Sequence, residues 1–426
     1  MYNGAAIEDF GKPVVLLANN GFVADAHSAA SSKGIPGIRV VGESIACEST
    51  VASDIDEGVV SAMPAIVEAL TKPLTPEEKS PKQQVAKLPR YAFKGTLEEV
   101  NRYFYGKGWT DGLPIIPPTE KAVAEMLTGT DLPPDHVVAK VIPRLGKATV
   151  EKIAVNAVMA GALPTSMPVL IAAVQAVSDP KTRFDTFEVS TGSWSPFLTI
   201  NGPIRNDVNV NCSSGALSPG NIANAAIGRA LGLIVKNIGG ARKALEDMGV
   251  IGNPGKYTLV IGEHEEESPW EPLSVERGFK KEDSTLTVFF PNTFIQTIPG
   301  ETNAKGILDA LSGMGAGGMS CLIVIPSWAK VLSGEGYTKQ KVKEYIAEHY
   351  TSPFAQLPGT QTTARPKMDI DNLMILVAGG PGSFMALLRS VGGFENALVT
   401  KKIELPKNWD KLVAKYKGIV PHHEKY

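Results

Sequence analysis

The chain has 426 residues, of which 43% are hydrophobic and 20% charged, so it is long enough for two or three domains with substantial cores. Its formal net charge of −2 argues against nucleic-acid binding and against a polybasic attachment to membranes. The first residues lack the charged and apolar regions of a signal peptide, and three cysteines are too few for a disulfide framework. The composition predicts a globular cytoplasmic protein with reduced thiols.

The first seventy residues or so predict two short strand–helix units. Strands are expected at 14–19 and 38–41, and helices at 24–33 and 51–70. The first strand is a continuous apolar run, which is typical of a strand buried on both faces, and the second helix is expected to kink or break at Pro64. Two strands cannot bury a parallel sheet on both faces. Residues 1–72 are therefore predicted to be a parallel α/β half-domain that borrows strands from elsewhere in the chain or from another chain.

The remainder of the chain predicts a larger α/β domain, residues 93–426, with mixed strand pairing, after a proline- and charge-rich linker at 73–92. A capping box at Thr96 opens a helix. Two prolines divide the uncharged stretch 153–178 into two packed helices and argue against a membrane span. Further strands are expected at 197–200, 257–262, 284–290, 321–325 and 373–378, and further helices at 120–128 and 337–349.

A polar, glycine-rich loop follows the strand at 197–200 and leads into a helix expected to open at Pro219, with Ser218 as its N-cap. The free N–H groups of such a helix start form a natural anion site. The loop combines many hydrogen-bond donors with small side chains, and this combination predicts a binding site. A buried loop that satisfies its own backbone is the alternative. The candidate substrate-binding residues here are Asn201, Arg205, Asn206, Asn211, Ser213 and Ser214.

Two of the three cysteines are candidate nucleophiles. Cys47 precedes an expected helix start, which lowers a thiol pKa, but neighbouring carboxylates oppose this effect. Cys212 lies in the donor-rich loop without an adjacent carboxylate and is the stronger candidate. Cys321 begins an apolar run and is expected in the core. For each candidate, a small buried side chain is the alternative.

An acidic segment around His264 follows the strand at 257–262. His264 and Glu265 predict a general acid and base, whereas a solvated acidic loop is the alternative. Both this segment and the 201–211 loop follow strand ends, so we expect them to lie within reach of each other. The segment lacks the spaced His or Cys pairs of a zinc site, and no motif implies a particular cofactor.

Two further loops carry weaker signals. Trp109 and Asp111 predict a pocket wall with a polar group, or a loop that is merely anchored by the indole. A glycine loop between an expected strand and helix lacks both the P-loop lysine and the G-x-G-x-x-G spacing, so it predicts an anion-binding turn or only a tight turn. Its candidate anion-binding residues are Gly379, Gly380, Gly382 and Ser383.

The N-terminal segments Lys12-Pro-Val-Val-Leu-Leu and Gly34-Ile-Pro-Gly-Ile-Arg-Val-Val, with the helix that ends near Leu70, resemble the latter half of the UGSC-type (seleno)protein domain. In that family a parallel α/β domain carries a Sec/Cys-Gly-Ser-Cys redox-like motif in its first half. This chain lacks the motif, so none of the family's reactive residues can be assigned. Residues 93–426 look like the large domain of unassigned function that accompanies such proteins.

The resemblance implies a partner subunit that bears the motif and completes the N-terminal sheet, and a homo-oligomer that exchanges residues 1–72 is the rival. We expect an enzyme subunit that acts on a small anionic or amide-bearing substrate by thiol- or selenol-assisted making or breaking of a carbon–heteroatom bond. Cys212 or a partner's thiol would be the nucleophile, with His264 or Glu265 moving protons. The alternatives are a non-redox lyase or hydratase that uses amides and carboxylates, and a non-catalytic scaffold subunit of a selenoprotein-type complex.

Overall fold

The computed structural model describes residues 4, 7–8, 10–32, 34–45, 51–79, 90–316, 319–349, 370–391 and 398–421. The strands are β1 (Val15–Asn19), β2 (Arg39–Glu43), β3 (Val137–Val141), β4 (Gly146–Thr149), β5 (Phe197–Asn201), β6 (Val260–Gly262), β7 (Thr285–Phe289), β8 (Thr293–Thr297), β9 (Ser320–Val324), β10 (Leu373–Val377), β11 (Met385–Arg389) and β12 (Val399–Lys402). The helices are α1 (Val23–Ser32), α2 (Ala52–Thr71), α3 (Pro76–Lys79), α4 (Leu97–Gly106), α5 (Glu120–Leu127), α6 (Val150–Ala160), α7 (Met167–Val177), α8 (Phe184–Phe187), α9 (Ile204–Asp207), α10 (Ile222–Ile234), α11 (Leu273–Glu276), α12 (Ala304–Gly313), α13 (Pro326–Gly334), α14 (Lys339–His349) and α15 (Trp409–Tyr416).

Two four-stranded mixed sheets, ordered β6–β5–β7–β12 and β10–β9–β11–β8, form the centre of the main body. In each sheet two parallel strands, β5 with β6 or β9 with β10, are joined through helices, and an antiparallel strand follows. The fourth strand is exchanged, because β8 follows β7 but pairs with β11, whereas β12 follows β11 but pairs with β7. The two halves of the main body therefore have the same order of strand pairing. Each half contributes the fourth strand to the sheet of the other half.

The two sheets face each other across a shared hydrophobic core. Phe197 and Phe289 of the first sheet meet Cys321, Met374 and Leu388 of the second, and all five are at most 1% exposed. The outer face of the first sheet packs against α6, α7 and α10, and the outer face of the second packs against α12, α13 and α14. The main body is thus an α/β fold of four layers, helix–sheet–sheet–helix.

Helix boundaries in the first half follow local sequence signals. The predicted capping box is confirmed, with both reciprocal hydrogen bonds between Thr96 and Glu99 at the start of α4. The uncharged stretch divides into α6 and α7 as expected, since Gly161 ends α6 in the left-handed conformation and Pro164 opens the connecting turn. None of the described helices is both long and apolar enough to cross a membrane.

The N-terminal unit is a parallel pair, β1 with β2, flanked by α1 and α2. No other strand of the described residues pairs with it. The first part of the expected linker is folded onto this unit, because the Arg39 guanidinium donates to the carbonyl oxygens of Lys72 and Pro73 and pairs with Glu78 at 3.3 Å. Residues 80–89 of that linker lie outside the described residues.

Three expectations about local structure are wrong. At Pro64 the expected break is wrong, because helix α2 continues through this residue, whereas the alternative of a kink stays a prediction. The helix expected at Pro219 begins at Ile222, because Gly220 adopts a φ of +146° that an αR turn excludes. After the glycine loop the chain forms strand β11 in place of a helix, since the apolar run there pairs with both β8 and β9. The β3–β4 hairpin, β8, β12, α12, α13 and α15 were not expected from the sequence.

Replacing Phe289 with alanine should lower the free energy of unfolding by about 3–5 kcal/mol, because it leaves a cavity between the two sheets. Phe294→Ala is the matched control, since this ring on β8 is 53% exposed and its loss should change the free energy by no more than about 1 kcal/mol. Urea unfolding of both variants measures the difference. Equal, small losses would contradict a shared core between the sheets.

Candidate functional site

Three loops meet where β5, β6 and β10 end. The backbone N–H of His264 donates to the carbonyl oxygen of Val377, the last residue of β10, at 2.7 Å. The backbone N–H of Gly379 donates to the carbonyl oxygen of Cys212 at 2.9 Å. The acidic segment therefore lies against the 201–211 loop, as expected. We call the polar residues at this junction the strand-end cluster, which comprises Asn201, Arg205, Asn206, Cys212, Glu263, His264, Glu265, Glu266 and Lys339.

Arg205 is the centre of the strand-end cluster. Its side chain is 2% exposed, and its guanidinium lies 3.2 Å from Glu265 Oε1 and 3.0 Å from Glu266 Oε1. It also donates to the carbonyl oxygen of Glu263 at 2.7 Å. The two terminal nitrogens of the guanidinium are therefore engaged by protein groups, whereas Nε lies near Glu265 without a hydrogen bond among the described residues. Arg205 thus ties the acidic segment to the 201–211 loop, and its expected anion-binding role stays a prediction.

Glu263 is fully buried and has three partners. Its carboxylate accepts hydrogen bonds from Asn201 Nδ2 and the backbone N–H of Leu273, both at 2.7 Å, and lies 3.2 Å from Lys339 Nζ. Burial alone would lower the pKa of Lys339, but the charges of Glu263 and Glu276 outweigh it and raise that pKa. The buried ammonium reaches the cluster from α14, a helix in which the sequence analysis identifies no site residue.

Asn201 offers the cluster an unused acceptor. Its side-chain amide donates to Glu263 and, at 3.0 Å, to Glu265, whose carboxylate also accepts the backbone N–H of Gly202 at 2.7 Å. The Asn201 Oδ1 atom is buried and has no hydrogen-bond partner among the described residues. An unsatisfied buried acceptor costs about 1–3 kcal/mol. Asn201 is 0% exposed, so this oxygen is an unsatisfied acceptor inside the cluster that is closed to solvent.

His264 and Glu266 form an imidazole–carboxylate pair at the edge of the cluster. The Nδ1 atom of His264 lies 3.7 Å from Glu266 Oε2, which is longer than a hydrogen bond, and it has no other hydrogen-bond partner. Partial burial alone would raise the pKa of Glu266, but hydrogen bonds from Arg205 and Asn206 and the charge of Arg205 lower it to about 2. An ionised carboxylate thus lies beside the imidazole of His264.

The described cysteines show no sign of an activated thiolate. Burial raises the pKa of the Cys212 thiol, and Arg205, with Nη1 at 3.9 Å from Sγ, opposes this without cancelling it. Cys321 lies between the sheets, and burial raises its pKa well above the usual value. Cys47 lies outside the described residues. The thiol at the cluster is therefore protonated near neutral pH.

The middle of the polar loop satisfies its own polar groups. The side-chain amide of Asn211 donates to the carbonyl oxygen of Ser214 at 2.9 Å, and its Oδ1 accepts the backbone N–H of Ser213 at 2.8 Å. The Asn224 amide, on α10, donates to the carbonyl oxygens of Asn211 and Ala216. The alternative of a self-satisfied loop describes this part better than a ligand site does.

The glycine loop lies beside these residues. A Cβ on Gly380 would lie 1.8 Å from the hydroxyl oxygen of Ser214, so a glycine is needed for the two loops to approach. Gly379 and Gly382 have φ of +99° and +153°, and the carbonyl oxygen of Ser383 accepts an indole N–H at 3.0 Å. Because strand β11 follows in place of a helix, this loop lacks the helix N–H groups that its expected anion-binding role would use.

The remaining candidates, Trp109 and Asp111, lie away from the strand-end cluster. The Trp109 ring packs edge-on against Phe104 with centroids 5.3 Å apart, as an anchored loop would. Asp111 pairs with Arg229 through contacts of 2.7 and 3.0 Å and lines a cavity of about 710 Å³. Leu198, at the start of β5, also lines this cavity. The structure therefore separates Asp111 from the loops at the other end of that strand.

Comparison of the chain with protein-family models, curated proteins and solved structures finds no match. The resemblance to the UGSC-type domain thus stays an expectation. Within the described part of the chain, no group of three or more His, Cys, Asp or Glu side chains is placed to hold a metal ion.

Arg205→Ala should lower the free energy of unfolding by about 3–5 kcal/mol, because it leaves the buried Glu265 carboxylate without its cation. Arg205→Lys should lose less, since it keeps the charge but cannot reach all three acceptors. Arg102→Ala is the control, because this exposed arginine has only a solvated i,i+4 partner and its loss should leave stability nearly unchanged. An unchanged melting temperature for Arg205→Ala would contradict the tie between the loops.

Proposed function

We propose that the chain is an enzyme subunit that moves a proton on a small substrate with a carboxylate or amide group, at the strand-end cluster. This is the chemistry of a non-redox lyase or hydratase. The observation that supports it most is the half-buried imidazole of His264, unpaired at Nδ1 and 3.7 Å from the Glu266 carboxylate. Catalytic pairs are often this loose before substrate binds.

His264 and Glu266 then have distinct roles in the reaction. The low pKa of Glu266, about 2, keeps it ionised, so it orients the Nδ1–H of His264 and stabilises the imidazolium. The Nε2 atom takes a proton from the substrate carbon next to the carbonyl. The C–H electron pair forms the double bond as the heteroatom on the next carbon leaves, and the imidazolium returns the proton to that leaving group.

Acid–base chemistry fits the cluster better than a resident thiol nucleophile does. A cysteine nucleophile needs a lowered pKa, whereas burial raises the pKa of Cys212. No thiolate is required for the elimination described above. Cys212 then contributes its backbone carbonyl, which anchors the glycine loop through Gly379.

Solvent exchange tests this proposal. In D₂O, wild-type protein with a panel of 2- and 3-hydroxycarboxylates and their amides should exchange the proton next to the carbonyl or form alkene, followed by proton NMR. His264→Gln should slow the reaction by about 10²–10⁴-fold. His349→Gln, at an exposed histidine on α14, is the matched control and should have no effect.

Thiol modification separates the two chemistries. After complete alkylation with iodoacetamide, the Cys212→Ala protein should keep its rate of proton exchange or elimination. The alanine is used because an alkylated Cys212 could block the site by its size alone. A rate abolished by Cys212→Ala and unaffected by His264→Gln would contradict acid–base chemistry and favour the thiol nucleophile.

A second candidate is thiol or selenol chemistry supplied by a partner subunit of the UGSC type. The β1–β2 pair supports it, because no further strand of the described residues pairs with it and Leu17, in the middle of β1, is 56% exposed. Val60, Met63 and Val67 also form an exposed apolar stripe along α2. We propose that strands of another chain complete this sheet, with exchange of residues 1–72 between copies as the rival.

Native mass spectrometry of the chain expressed alone, and of the chain isolated from its own cells, tests the assembly. A hetero-oligomer in the second sample supports a partner subunit, and a homo-oligomer in both supports exchange of the N-terminal unit. A stable monomer in both samples would contradict each version.

A further inference from the structure

The cavity lined by Asp111 is separate from the strand-end cluster. It lies where β5 and β6 begin, between α10 and the loop at 249–257, and its volume of about 710 Å³ is that of a small-molecule site. Its apolar lining comes from Leu198, Leu231, Val235, Val250, Ile251 and Tyr257. Val250 and Ile251 stand at its rim, 79% and 96% exposed, so apolar surface there is available to a ligand.

Most charged groups of the cavity neutralise one another. Arg229 is held by Asp111, and Lys256 Nζ lies 2.8 Å from Asp247. Lys236 differs, because its ammonium donates to the carbonyl oxygen of Thr110 and makes no ion pair with any carboxylate of the described residues. Burial lowers the pKa of Lys236, and the more distant charge of Asp111 opposes this. Lys243 also lines the cavity but is exposed, so Lys236 is the partly buried cation there that no ion pair of the described residues neutralises.

The backbone around Lys236 is unusual. Helix α10 continues into a π-helical turn, Val235–Gly239, and the turn contains this lysine. Such turns are rare and are frequent at functional sites, where they redirect a side chain that a regular helix would aim elsewhere. This turn is a feature of the backbone and does not depend on the charges of the cavity.

Glu188 is the other group without a close partner. Its side chain is 6% exposed, lines the cavity, and has its ion-pair partner Lys256 as far as 3.9 Å away. Burial raises its pKa to about 7, against the charge of Lys256 and together with that of Asp247. Below neutral pH the carboxyl is protonated and adds no negative charge to the cavity.

We propose that this cavity binds a small molecule with an apolar body and one carboxylate, the carboxylate on Lys236 and the body among the aliphatic side chains. The partly buried ammonium of Lys236, with the exposed Lys243 also in the lining, attracts the carboxylate. The carboxyl of Glu188 makes binding depend on pH, because its ionised form repels the ligand. The site is independent of the function proposed for the strand-end cluster.

Calorimetric titration with 4-phenylbutyrate and with the neutral 4-phenylbutanol tests the site. The carboxylate should bind wild-type protein at least tenfold more tightly than the alcohol does. Lys236→Met should remove that preference and leave the alcohol unchanged. Lys281→Met, at an exposed lysine away from the cavity, is the matched control. Equal affinity of both probes for wild type, or a preference that survives Lys236→Met, would overturn the proposal.

The pH dependence of the unmodified protein gives a second readout. Affinity for phenylbutyrate should fall severalfold between pH 6 and pH 8 as Glu188 ionises, whereas affinity for the alcohol should stay constant. Glu188→Gln should flatten the phenylbutyrate profile. A profile that is already flat in wild type would contradict the placement of the carboxylate near Glu188, and no binding of either probe would overturn the site.

Discussion

One buried guanidinium joins the polar loops at the carboxyl ends of the two sheets. Arg205 comes from the turn after β5, and its three acceptors come from the segment after β6, whose His264 is in turn bonded to the end of β10. A charge this deeply buried is tolerated only with its partners in place. The acidic segment is therefore held down on the 201–211 loop, and the imidazole–carboxylate pair is positioned by the same contacts.

The sequence predicts the strands β5, β6, β7, β9 and β10 of the main body, because they are buried on both faces and appear as continuous apolar runs. The same property explains the error after the glycine loop. The apolar run Met385–Arg389 is too short to distinguish a buried strand from a buried helix, and its pairing with β8 and β9 decides between them. The exchange of β8 and β12 between sheets has no local signal, since it depends on how the halves pack.

The meeting of the acidic segment with the polar loop follows from a general rule, that loops after parallel strands collect at one edge of a sheet. This rule does not predict the long-range pairing within the strand-end cluster. Lys339 lies 76 residues beyond Glu263 on a helix that is polar by composition, and only its tertiary position shows that it is buried. Glu188 and Lys236 carry no motif either, because their chemistry arises from the cavity around them.

The junction between the two sheets positions the candidate site, and hydrogen exchange of the His264 amide tests this junction directly. In wild-type protein this N–H should exchange slowly, because it donates to Val377 at the end of β10. In Arg205→Ala it should exchange much faster, while the amides of β11 keep their protection. Fast exchange of the His264 amide in wild-type protein would contradict the junction and the site built on it.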